Sequence, residues 1–187
     1  MSSTLNGRKI AILATDGVEQ VELTEPQKAL RDAGAEVTVV SLKSGTIQGM
    51  NHDEKGDKIA VDVVLSDVSP AEFDGLILPG GVANPDYLRV EKSAVEFVRG
   101  FATAGKPIAA ICHGSWTLIE ADAVRGKKMT SWPSLQTDLR NAGATWTDEA
   151  MVRDGNLVTS RKPDDLAKFN KAAIEMFAEA SKLKQAA

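Results

Sequence analysis

A chain of 187 residues with 43% hydrophobic and 26% charged residues has the balance of a folded globular domain, which excludes a disordered tail, a collagen-like chain and a low-complexity repeat. Lys+Arg 22 against Asp+Glu 26 leaves a net charge of −4, without a basic stripe, so neither nucleic acid nor anionic lipid is an expected partner. A single cysteine, Cys112, forms no internal disulfide and, with only His52 and His113 beside it, no structural zinc site; with a polar segment 1–8 and no run of about 18 apolar residues, this predicts a cytoplasmic protein without a membrane anchor.

In chain order, the continuous apolar run 9–14 reads as a buried strand, followed by an acidic loop over 15–22 and a helix near 25–33. Pro26 suits that helix's first turn and Gly34 its end. Residues 36–42 form a second strand. The polar, glycine-containing stretch 44–57, with 59–65, reads as a hairpin or excursion outside the main sheet. A strand at 76–78 runs into Pro79-Gly80-Gly81, and a helix over 93–104 is closed by Gly105. The strand 106–112 leads into a helix over 113–121, and a helix over 135–142 ends at Gly143. A late strand starts at Thr145-Trp146, and 152–159 forms a hairpin around Asp154-Gly155-Asn156. The closing helix, 164–183, carries Leu166, Phe169, Ala173, Ile174, Phe177 and Ala180 at helical spacing. Alternating strands and helices predict one α/β domain over 1–187, a three-layer, flavodoxin-like sandwich with a mostly parallel sheet.

Open sheets of this kind bind ligands beyond the carboxyl ends of their strands, where the winding reverses. Three turns should meet there: 15–21, 79–85 and the one after Ile111. The last, Ala110-Ile111-Cys112-His113-Gly114, places a nucleophile between small residues on a strand-to-helix turn, the pattern of a strained nucleophile elbow. A helix N-terminus favours a thiolate, and His113 beside it is a candidate base or cationic partner. The bland alternative is an inert core thiol. Gly80 and Gly81 expose amides that, with the His113 amide, suit a developing oxyanion; a double glycine is equally a tight turn. Taken alone, Glu19 reads as a surface carboxylate raised in interest by its position at the cleft. Asp86 is equally ordinary, and His52 reads as a solvated loop residue. Neither a G-x-G-x-x-G nor a phosphate-binding P-loop motif occurs.

Glu19, Leu78-Pro79-Gly80-Gly81, Asn84-Pro85-Asp86, Arg89, Gly105-Lys106-Pro107, Ala110-Ile111-Cys112-His113-Gly114 and Thr130-Ser131-Trp132-Pro133 occur in the order found in the PfpI family, which the chain resembles from about 9 to 177. These are cysteine peptidases, deglycases and stress proteins of the class I glutamine-amidotransferase-like superfamily. The resemblance implies Cys112 as nucleophile, His113 as its histidine, Glu19 as the buried acid on the cysteine sulfur, and Gly80, Gly81 and the His113 amide as oxyanion donors. It implies a homodimer or hexamer in which Asp86 reaches His113 from a neighbouring subunit, where some members carry the longer Glu. It also implies a stress-response hydrolase, without cofactor or metal, acting on a peptide, a glycated protein or a small α-oxoaldehyde. The alternative is a redox-sensing stress protein whose Cys112 is oxidised. A glutaminase triad is excluded, since no histidine follows His113.

Overall fold

The structure, a computed structural model, describes residues 4–185, with side chains through residue 180; the first three residues of the polar segment 1–8 and the last side chains of the closing helix fall outside the described residues. β1 (Lys9–Leu13) is buried after its first residue. β2 (Val18–Glu19) leads directly into α1 (Gln20–Asp32), and β3 (Glu36–Ser41) follows. β4 (Thr46–Asn51) and β5 (Glu54–Ala60) form an antiparallel hairpin, and β6 (Val63–Val64) returns to the main sheet. Next come β7 (Gly75–Leu78), α2 (Ala83–Val90), α3 (Lys92–Thr103), β8 (Ile108–Ile111) and α4 (Ser115–Glu120). The chain finishes with β9 (Lys128–Met129), α5 (Gln136–Asn141), β10 (Thr145–Trp146), β11 (Met151–Asp154), β12 (Leu157–Ser160) and α6 (Leu166–Gln185).

The seven-stranded sheet has the order β11-β12-β8-β7-β1-β3-β6, parallel except for the β11–β12 edge. Strands 1, 7 and 8 are fully enclosed, which is why they read as unbroken apolar runs rather than alternating ones. In register, Ile10 lies beside Val37 and Ile12 beside Ile77. One face packs on α2–α5, with Phe73, Phe97 and Phe101 in edge-to-face contact. The other packs on α1 and α6 through Leu23, Leu30, Phe169 and Phe177. Each such buried aromatic or aliphatic side chain contributes about 1.5–3 kcal/mol. After β1 the chain winds one way through β3 and β6 and then the other way through β7, β8 and β12, so the winding reverses at β1/β7. No helix among the described residues is long and apolar enough to cross a membrane.

Two local readings are corrected. α1 begins at Gln20, not near residue 25, and Pro26 sits inside it. The helix tolerates this because Glu22, Leu23, Pro26 and Leu30 share its buried face, so packing offsets the lost amide; Pro26 leaves the Glu22 carbonyl, four residues back, without its helical donor. The turn expected over 79–85 gives way at Ala83 to the helix α2, which carries Asp86 and has Pro85 in the first turn, where a missing N–H removes no helical bond. Of the excursion expected over 44–65, β4 and β5 do lie outside the main sheet, joining β2 in a separate three-stranded sheet, whereas β6 pairs with β3 in the main one.

Candidate active site

The site forms at the carboxyl ends of β1, β7 and β8. Cys112 directly follows β8, with φ 60, a left-handed backbone that only a strongly held non-glycine residue keeps. The small neighbours are required sterically: a Cβ at Gly114 would meet the Leu78 carbonyl oxygen and lie 3.0 Å from that of Pro79. The Cys112 carbonyl accepts from the Trp132 amide at 3.2 Å. Its sulfur is 3.2 Å from His113 Nδ1, and Cys112 is 6% exposed.

His113 is itself buried, its ring edge-on to Trp116 at 5.0 Å and stacked against Trp132 at 5.7 Å. This apolar setting lowers its pKa to about 4, so the ring is neutral at neutral pH. In the tautomer protonated at Nε2, Nδ1 accepts the thiol proton.

The acid beside the sulfur is Glu22, not Glu19. Glu22 is fully buried in the first turn of α1, and its Oε2 accepts from the Gly80 amide at 2.8 Å. Oε1 has no conventional hydrogen-bond partner, and the carboxyl sits near enough to Cys112 for each to shift the other's titration. Burial pushes Glu22 up to about 8; the Gly80 amide opposes the shift and the Glu19 charge adds to it. A proton on Oε1 satisfies both oxygens, leaving Oε2 to accept from Gly80 and an O–H for the sulfur. Glu19 is turned elsewhere. It is 8% exposed, and its Oε2 accepts from the His52 amide at 3.1 Å. With the helix starting at Gln20 rather than near 25, Glu22 falls inside it on the buried face with Leu23, Pro26 and Leu30, while Glu19 stays in β2.

The thiol expected to be acidified by a helix terminus is instead raised. Burial is the main cause and the Glu22 charge adds to it, against the amides of His113 and Gly81. α4 starts three residues beyond Cys112 and is short, so its dipole does not overcome desolvation. Protonation of Glu22 removes the charge contribution, leaving burial opposed by two amides.

Gly80 also needs correction as an oxyanion donor, since its N–H is committed to Glu22. It is there for close approach: a Cβ would lie 2.6 Å from Glu22 Oε2 and 2.7 Å from Cys112 Cβ. Gly81 (φ 78) and His113 keep their amides directed at the sulfur region. Asp86 is exposed on α2, and among the described residues no hydrogen bond joins it to His113 within the chain. Sequence reasoning missed Glu22 and set His52 aside, although His52 and Asp53 line the same cavity of about 490 Å³ as Cys112, His113, Glu19, Glu22 and Trp132. The signal available for Glu22 was its place on the apolar face with Leu23, Pro26 and Leu30.

These shifts dictate a pH dependence of stability. Glu22 binds its proton more tightly folded than unfolded, so its contribution is complete below the ordinary 4.5 and is lost as pH rises toward 8. Neutral His113 contributes fully above 6.5 and loses that contribution as pH falls toward 4. The slopes oppose each other between 4.5 and 6.5; from 6.5 to 8 Glu22 acts alone, at up to about 1.4 kcal/mol per pH unit. Wild-type Tm is therefore expected to decline from pH 6.5 to 8, and Glu22→Gln to flatten the decline. Equal slopes in calorimetry of the two proteins would remove Glu22 as the source.

The sequence matches the DJ-1/PfpI family over residues 8–176. It is 45% identical over 172 residues to protein/nucleic acid deglycase 2 of Escherichia coli K12, covering 90% of this chain and 97% of that one. It is 41% identical over 172 residues to general stress protein 18 of Bacillus subtilis 168, covering 91% and 98%. Among solved structures, Drosophila melanogaster DJ-1beta superposes with a TM-score of 0.81 at 30% identity, covering 94% and 96%. A doubly wound sheet whose strained cysteine turn faces a double glycine, matched in sequence nearly end to end, places this chain in the DJ-1/PfpI family.

Proposed function

We infer that this chain is a cysteine-dependent stress enzyme in which Cys112 attacks an electrophilic carbonyl. The observation that carries the reading is the Cys112 sulfur 3.2 Å from a neutral His113 Nδ1, on a strained turn open to a cavity. His113 takes the thiol proton as sulfur adds to the carbonyl carbon, and the amides of Gly81 and His113 face the oxygen that becomes negative. Peptide, glycated adduct and α-oxoaldehyde share this first step. With an α-oxoaldehyde the adduct is a thiohemiacetal. Moving its carbon-bound hydrogen to the neighbouring ketone carbon makes a thioester, and water then releases an α-hydroxy acid and the free thiol. The balance is one aldehyde plus one water, with no external oxidant or reductant. Protonated Glu22 donates to the sulfur while it is anionic.

The quaternary arrangement belongs to the same reading. α2 and its N-cap expose Val82 (60%) and Val90 (77%) together with Tyr87 and Asp86, a face suited to a second copy that brings Asp86 to His113 of its neighbour. The alternative function, peroxide sensing, draws on the same carboxyl, since protonated Glu22 is also a donor for a sulfinate oxygen.

The deciding measurement is lactate formed from methylglyoxal, followed by NMR alongside the intact mass of the protein. Many equivalents of lactate per subunit, absent in Cys112→Ala, are expected. A single equivalent of Cys112 modification without lactate would overturn the enzyme reading.

A further inference from the structure

We propose that the mouth of the Cys112 cavity is a charge filter: the β4–β5 hairpin tip, held by Glu19, presents negative charge that turns anionic carbonyl compounds away and admits neutral or cationic ones. The proposal takes its meaning from the cysteine-enzyme reading, but its test does not depend on turnover.

The hairpin tip is a built feature. Glu19 in β2 lies in register with Met50 in β4, and its Oε2 accepts the His52 N–H at 3.1 Å. His52 holds φ 57, a backbone that costs a side chain-bearing residue about 1–2 kcal/mol and persists only where neighbours fix it. Glu19 supplies that hold, and the tip then lines the cavity through His52 and Asp53.

The fixed charges of the side chains lining this cavity are carboxylates, with His52 the imidazole at the mouth. Glu19 and Asp53 line it, Glu22 is protonated and His113 neutral, and among the described residues no Lys or Arg lines it. Two nearby cations are already engaged, while Lys55, in register with the lining Met50, sits on the β5 side of the tip and does not line the cavity. Lys162, next to the lining Pro163, pairs with Asp164 at 2.9 Å, and Arg89, over the Trp116 ring, pairs with Glu120 at 3.6 Å. Asp164, next to the lining Pro163, is held below the ordinary carboxylate range chiefly by Lys162 and to a lesser degree by His52, so the imidazole at the mouth is matched by an acid. Two carboxylates lining the same cavity as the reacting atoms oppose entry of an anion and assist a cation. The substrate class that fits is an uncharged α-oxoaldehyde or its cationic adduct with an amine or guanidine, and not an α-keto acid.

Methanethiosulfonates of three charges test this directly. Each transfers its alkylthio group to the sole cysteine, forming a disulfide and expelling methanesulfinate. Labelling rates are measured with neutral methyl, cationic ethylammonium and anionic ethylsulfonate reagents and normalised to 2-mercaptoethanol. The normalised anionic-to-cationic ratio at Cys112 is expected to be at least tenfold below unity in low salt, and to move toward unity in 0.5 M salt, where the Debye length is only about 4 Å. Asp53→Asn and Glu19→Gln should each raise the anionic-to-neutral ratio several-fold. Asp53 is exposed, so its variant carries the test even if Glu19→Gln disturbs the hairpin. A normalised ratio near unity, no change in Asp53→Asn, or no labelling by any of the reagents would overturn the proposal. An intact filter without lactate formation would instead overturn the enzyme reading and leave the filter standing.

Discussion

Glu22→Asp is expected to lower kcat for an α-oxoaldehyde about a hundredfold, roughly 2.7 kcal/mol of transition-state stabilisation. The Glu22 carboxyl serves the Gly80 amide through Oε2 and the sulfur through its proton. One methylene less withdraws it from at least one of them, and the abandoned group is buried. Glu22→Gln keeps an acceptor for Gly80 and an N–H for the sulfur but loses the exchangeable proton, so a smaller loss, about tenfold, is expected. Cys112→Ala sets the floor at the uncatalysed rate. Steady-state kinetics on the series, with circular dichroism to verify folding, provide the check. A larger loss of kcat in Glu19→Gln than in Glu22→Gln would return the role to Glu19.

Gly81→Ala is expected to reduce stability by about 3–5 kcal/mol, a fall in Tm of roughly 10–15 °C for a domain of this size. Its φ of 78 is strained for any residue with a Cβ. The added carbon would also lie 2.6 Å from the Glu19 nitrogen and against the Gly17 carbonyl oxygen, both main-chain atoms that cannot swing aside. Gly45→Ala isolates the first effect: φ is 89 but nothing lies within 4 Å of the new atom, so only about 1–2 kcal/mol of backbone strain is expected. Thermal melts of the two variants should differ by several degrees. Similar Tm values would mean that the double-glycine turn relaxes without resistance.

How much of this was legible in the sequence follows from the kind of signal each feature leaves. The strands at Leu76–Leu78 and before Cys112, the hairpin ending in Leu157–Ser160 and the closing helix announce themselves through apolar runs, turn residues and helical spacing. The strained turn at Cys112 was readable because small residues must flank it. The start of α1 was not, because Pro26 is a strong local sign of a first turn and the burial that overrides it is visible only in three dimensions. That displacement carried the choice of acid with it. α2 was hidden by Asn84-Pro85-Asp86, a run that locally favours a turn. The commitment of the Gly80 amide to Glu22 joins residues 58 apart in sequence, a pairing no local pattern encodes, and the same holds for the Glu19–His52 contact.

The two-residue tip of the β4–β5 hairpin has an evolutionary consequence. The reacting groups are held by main-chain atoms of the large sheet, where Gly80, Gly81, Gly114 and the Cys112 turn interlock and few substitutions are tolerated. The hairpin belongs to a separate three-stranded sheet and meets the cavity through Met50 and, at its exposed end, His52 and Asp53. Exchanging those two side chains re-shapes the entrance without disturbing the scaffold beneath. On the proposed reading, chemistry and selectivity would then sit in modules that can change independently, so that relatives could diverge in what they admit while sharing the same cysteine turn.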